Sequence, residues 1–243
     1  MRGRTIVRVT ALGPRVGSFG PRQRIAVVVL VLSGLLVVAG AGWSHGHKSF
    51  CQRAAEARSE RAAIVTGHGR RVLVIGDSWS AGRGLYHVGR SWPRYLPGRV
   101  HVDGFSGSGF SRGASQCRDR SYADRVDQAL LRTGAQPDLV ILQGGLNEYD
   151  RPSQAVRDGV RRVLAHLADR GIPMRDVVIV GPVAAPARAA EMPRVDGVLA
   201  DEAAREHVRY LSVTGLELPY LHDRLHLTEA GHEEFGRAVA ALL

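Results

Sequence analysis

From residue 70 to the C-terminus, short and mostly apolar runs alternate with longer amphipathic ones. That alternation limits the fold more than any other feature of the chain. The runs "RVLVI" (71–75), "RVHVD" (99–103), "DLVILQ" (138–143), "DVVIV" (176–180) and "RYLSV" (209–213) have strand length. Between them, "YADRVDQALLRTG" (122–134) and "PSQAVRDGVRRVLAHLADRG" (152–171) carry apolar residues at helical spacing and end in glycine. Further helices are expected over 193–207 and, behind Thr228 as a cap, over 228–243. Strands that are apolar along their whole length are covered on both faces. The expected architecture is therefore a three-layer α/β/α sandwich around a mainly parallel sheet. Ligands in such sheets gather beyond the carboxyl ends of the strands. Ser78, the glycine loop 104–113 and the loop 144–148 all follow strands and are expected on one rim.

The segment before residue 70 divides into three parts. Residues 1–24 carry six arginines and no acid, and "IAVVVLVLSGLLVVAGAGW" (25–43) carries no charge at all. At about 1.5 Å per residue, a helix over 25–43 nearly spans the ~30 Å hydrocarbon core. Arginines on its N-terminal side favour a cytoplasmic N-terminus, with the remainder outside. Two outcomes stay open: an uncleaved transmembrane anchor, or a signal peptide cut near Ala41 after the small residues Ala39-Gly40-Ala41, which would make the protein secreted. Either places the later domain outside the cytoplasm. Residues 44–69 read as a polar stalk with a helical patch at 53–64, and 70–243 as the folded domain. Of the formal +10 charge, the leader's arginines supply six and leave +4 for the rest, so no nucleic-acid-binding face is implied. The only two cysteines, Cys51 and Cys117, suit an oxidising compartment and are either bridged or two unpaired thiols.

The stretch "VLVIGDSWSAGRG" (72–84) leaves Ser78 at the C-terminal edge of the first strand. A serine needs a general base to act as a nucleophile. In "HDRLHLTEAGH" (222–232), Asp223 and His226 lie three apart just before the last helix. One turn can set the carboxylate on one imidazole nitrogen and leave the other for Ser78. Acyl transfer also needs donors aimed at the developing oxyanion. "DGFSGSGF" (103–110) offers glycine N–H groups, and "QGGLNEYD" (143–150) offers the Asn147 side-chain amide.

Taken in order along 71–243, these blocks resemble the SGNH (GDSL-type) serine hydrolases. "GDSWS" matches the first block, "GGLNE" resembles the Gly-x-Asn block, and "DRLH" matches Asp-x-x-His. The resemblance implies a flavodoxin-like sheet, the triad Ser78, His226 and Asp223, and an oxyanion hole from the Ser78 N–H, a glycine and Asn147. Gly107 fits the glycine block, with Gly109 as the alternative register. Glu148 stands where the family often has Asp, and Trp79 where leucine is commoner. Trp79, Gly109 and Tyr149 are the candidates for substrate contact. No metal or cofactor is required. The implied activity is hydrolysis of short acyl esters, of acetyl type, on an envelope carbohydrate or glycolipid. Acyl transfer to a sugar by the same triad, or an idle glycan-binding module, are the alternatives. Oligomeric state is not legible. The pattern "GFSRG" (109–113) formally fits a nucleophile elbow at Ser111, but the polar "RGASQCRDRS" after it lacks the required helix.

Overall fold

The computed structural model describes residues 48–243. The expectations for the arginine leader, the membrane segment 25–43 and the first residues of the stalk lie outside them. No helix among the described residues is long and apolar enough to cross a membrane.

Five strands, β1 (Arg71–Gly76), β2 (Arg99–Gly104), β3 (Leu139–Gln143), β4 (Val177–Val180) and β5 (Arg209–Leu211), form one sheet in the order β2-β1-β3-β4-β5. Every neighbouring pair is parallel. This is the flavodoxin-like order, in which the connections reverse direction between β1 and β3. The register sets Gly76 level with Gly104 and Gln143, so the three strands around the reversal release their loops at one height.

The strand interiors are buried throughout, as their uninterrupted apolar character requires. Helices α1 (Phe50–Ala62), α2 (Ser78–Ala81), α3 (Tyr122–Thr133), α4 (Ser153–Asp169), α5 (Met192–Arg205) and α6 (Glu229–Leu242) complete the fold. Helix α4 packs between α3 and α5 to form one helical layer. On α6, Phe235 packs edge-on against both Trp79 and Trp92, with ring centroids 5.2 Å apart in each pair.

Two departures from the expected boundaries have local causes. Strand β5 stops at Leu211 because the Ser212 hydroxyl turns to the Asp196 carboxylate at 2.9 Å. Helix α4 stops at Asp169, where Gly171 takes a left-handed φ of +75° and the Ile172 N–H closes back onto the Leu167 carbonyl at 3.0 Å.

The larger departure concerns the stalk. Its helical patch is α1, started by a Ser49–Gln52 capping box and packed against β2 as part of the domain. Cys51 and Cys117 are joined by a disulfide, Cα to Cα 5.7 Å, which ties α1 to the loop after β2. Thr66 then pairs with Val100 through both backbone groups, at 3.2 and 2.8 Å, and so covers the open edge of β2. Arg58 and Arg61 of α1 are buried, which a helix read as a solvated stalk would not do.

Candidate active site

Asp77 caps α2 through its side chain, which accepts the Trp79 N–H at 2.9 Å. That cap turns the chain sharply at the end of β1 and stands Ser78 at the rim. Gly82, at φ +74°, ends the helix after one turn. From the far end of the chain comes the loop before α6. There Arg224 adopts φ +57°, and Asp223 Oδ1 accepts the backbone N–H groups of Leu225 and His226 at 3.0 and 2.9 Å. The other carboxylate oxygen lies 2.6 Å from His226 Nδ1, and His226 Nε2 lies 3.1 Å from Ser78 Oγ. A carboxylate can only accept, so Nδ1 carries the proton and Nε2 is the acceptor facing the hydroxyl.

Electrostatics keep this arrangement in the same protonation state near neutral pH. For Asp223, burial works against the ionised form. The hydrogen bonds from the His226 ring and from the His226 and Leu225 amides outweigh it and hold the carboxyl at about 2. For His226, burial lowers the imidazole below its ordinary range and the Asp223 carboxylate opposes that. The Arg83 and Arg188 guanidiniums add to the lowering. The ring is therefore neutral and able to accept a proton.

The donors converge from the loops after β2 and β3. Gly107, at φ +74°, lines the cleft together with Ser78, Asn147 and His226, and the cleft encloses about 420 Å³. The backbone N–H groups of Ser78 and Gly107 have no acceptor among the described residues. Asn147 spends one amide hydrogen on the Ser108 carbonyl at 2.8 Å, which leaves the second. Arg188 Nη1 donates to Asn147 Oδ1 at 3.0 Å and so fixes which end of the amide is the donor. Tyr149 also lines the cleft, its ring under the Arg188 guanidinium at 4.2 Å.

Two candidates for substrate contact lie elsewhere. Trp79, expected against the substrate, is 1% exposed and belongs to the core, with its indole N–H on the Leu225 carbonyl at 3.0 Å. The helical turn that raises Ser78 rotates the next side chain inward. Gly109 faces away from the cleft, where any Cβ would collide with the Glu148 carboxyl. Ser111 of the elbow-like pattern is buried, and its N–H donates to Glu148 at 3.1 Å. Of the segment 181–196, Arg188 is the residue that lines the cleft. Phe50, Arg83 and Arg188 also line the cleft but were not singled out in the sequence. No local signal marks two arginines among 32, and Phe50 lies in the stretch read as stalk.

The model of the GDSL-like lipase/acylhydrolase family matches residues 74–234. The chain belongs to that family. With it, this family member is a carboxylic ester hydrolase. Solved structures with the same fold include the aryl esterase of M. smegmatis, at 18% identity and TM-score 0.57, covering 72% of this chain and 98% of that one. A carbohydrate acetylesterase from Sinorhizobium meliloti, Est24, aligns at 17% identity with the same TM-score and coverage. The SGNH-hydrolase family esterase AlinE4 aligns at 25% identity and TM-score 0.50, covering 73% of this chain and 98% of that one. No curated protein matches the chain.

Glu148, in the loop after β3, is wholly buried, and its Oε2 has no hydrogen-bond partner among the described residues. Burial pushes its carboxyl up to about 7, and nearby Asp77 adds to the rise. An unfolded glutamate titrates near pH ~4.3. Between that pH and about 7 the folded state holds the extra proton, so this group costs stability as pH rises through the window and no more above it. Glu148→Gln removes the titration. Its stability relative to the wild type should improve by about 2–3 kcal/mol between pH 5 and pH 8, read from urea unfolding at both. A constant difference would mean that Glu148 does not change charge in that range.

Proposed function

We propose that this hydrolase is an extracytoplasmic serine esterase that removes short acyl groups, of acetyl type, from an envelope carbohydrate or glycolipid. The observation that carries the reading is the continuous chain Ser78 Oγ–His226 Nε2 and Nδ1–Asp223 Oδ2, at 3.1 and 2.6 Å. Ser78 Oγ attacks the ester carbonyl while His226 Nε2 takes the hydroxyl proton. Asp223 orients the ring and stabilises the imidazolium. The Ser78 and Gly107 N–H groups and the Asn147 amide hold the oxyanion. The imidazolium then protonates the leaving alcohol. Water, deprotonated by the same ring, releases the acid and restores Ser78.

The acyl group is short because the wall around Ser78 is built largely from glycine and polar side chains, with Phe50, Ala114 and Leu225 the apolar contributors, and offers no aliphatic tunnel. A location outside the cytoplasm is supported by the arginine leader, the uncharged run 25–43 and the cysteine pairing, since disulfides persist in oxidising compartments. Est24, of the same fold, is a carbohydrate acetylesterase.

A fluorophosphonate reagent tests the assignment directly. Peptide mapping should find the adduct on Ser78. The labelling rate should fall on the acid side along a limb set by His226, with its midpoint below the ordinary histidine value of about 6.5. An adduct on another serine, or a pH-independent rate, would remove Ser78 and His226 from these roles.

A further inference from the structure

The cleft contains more positive charge than the proposed reaction needs. Arg151, on its wall, is matched by Asp150, whose Oδ1 it holds at 2.8 Å. Among the described residues neither Arg83 nor Arg188 forms a salt bridge with a carboxylate; Asp150, already held by Arg151, and the buried Asp77 act on Arg188 only from a distance. Arg83 follows the nucleophile's helix, with its backbone N–H on the Ser78 carbonyl at 2.9 Å and its exposed guanidinium 5.6 Å from the centre of the Phe50 ring. Arg188 arrives from the loop after β4, held by the Leu146 carbonyl at 2.6 Å, the Asn147 side chain and the Tyr149 ring. Aromatic faces under both groups keep cations in place without neutralising them.

We propose that the substrate is an anionic ester, and that Arg83 and Arg188 bind a carboxylate or phosphate carried on the same molecule as the scissile bond. This rests on Ser78 being the nucleophile. The physical ground is that two guanidiniums beside His226, neither in a salt bridge among the described residues, oppose the imidazolium that must form when Ser78 gives up its proton. Their effect on His226 in the free protein is already a lowering. A bound anion cancels that field at the moment the ring becomes charged. The same pairing contributes charge-assisted, fork-like hydrogen bonds that neutral esters lack.

Two matched pairs of chromogenic esters separate the possibilities. Nitrophenyl acetate is compared with its carboxy-substituted nitrophenyl analogue, which carries the charge on the alcohol side. Nitrophenyl butyrate is compared with mono-nitrophenyl succinate, which carries it on the acyl side. At low salt, kcat/KM for the charged member of at least one pair should exceed its neutral partner by about tenfold. High salt should erase the advantage, and Arg83→Gln and Arg188→Gln should each reduce the charged-to-neutral ratio.

Neutral esters turned over as well as both charged ones would overturn the proposal. So would variants that lose the same factor on charged and neutral substrates, since that would make the arginines supports of the oxyanion. Ser78→Ala that still cleaves the neutral esters would instead reject the nucleophile. A readout without turnover is protection of Ser78 from the fluorophosphonate at matched ionic strength by succinate, phosphate or chloride. Protection by succinate or phosphate that vanishes in both arginine variants is expected, and it tells carboxylate from phosphate. Equal labelling in all three salts would count against the site.

Discussion

Ser78→Ala is expected to lower kcat/KM for a short-chain nitrophenyl ester by a factor on the order of 10⁴ or more. The fold should survive the change. The hydroxyl makes one side-chain contact, to His226 at 3.1 Å, and losing it costs roughly 1 kcal/mol. On the proposed mechanism the serine and histidine act as one unit, so adding His226→Ala to Ser78→Ala should cost little further. Circular dichroism and unfolding midpoints close to those of the wild type would show that the loss is chemical. Retained turnover in a folded Ser78→Ala protein would mean that the 3.1 Å contact is not the reacting pair.

The largest stability effect should come from Asp103→Ala, at about 3–5 kcal/mol. Asp103 is 1% exposed on β2 and accepts from Arg58 Nε at 2.9–3.0 Å, from Arg125, and from Arg132 at 3.1 Å. Burial works against its ionised form, but Arg125 and Arg58 outweigh that and hold the carboxyl below the usual range. Without the carboxylate, two buried guanidiniums lose their counter-charge, and that penalty is a large share of the 5–15 kcal/mol typical of a whole domain. Arg125 also donates to the Gly76 carbonyl at 2.9 Å and to Ser108 Oγ at 3.1 Å, which ties the cluster to the loops on either side of Ser78. Urea unfolding of Asp103→Ala and of Asp103→Asn should rank the two below wild type, alanine lowest. A shift under about 1 kcal/mol would show that the arginines find other partners or water.

Several features are legible in the sequence alone. Helix α6 begins behind Thr228, whose hydroxyl accepts the Gly231 N–H at 3.1 Å, and α3 gives way to Gly134 at φ +70°. Such signals act within one turn of chain, so the residues that state them also carry them out. The parallel α/β class follows equally from β1, β3 and β4, whose apolar runs leave no polar face. The blocks around Ser78, Asn147 and Asp223–His226 were recognisable because each is a short local motif at the end of an element.

What was misjudged depended on which way a side chain turns and what it meets. Trp79 beside Ser78 suits either a wall or a core, and one turn of α2 sends it to the core. Glycines 107 and 109 are equivalent as letters, and the Glu148 carboxyl behind the second sets the register.

The amino-acid order by itself determined the elements, the α/β class and the short blocks that carry Ser78, Asn147, Asp223 and His226, because periodicity, caps and short motifs are local. Tertiary structure alone decided that α1 belongs to the domain, since burying Arg58 is favourable only once Asp103, 45 positions away, supplies the opposite charge. It alone brought Arg188 to the Asn147 amide and set Ser78 against His226, 148 positions downstream. Each such pairing is a sum over contacts that no single segment contains.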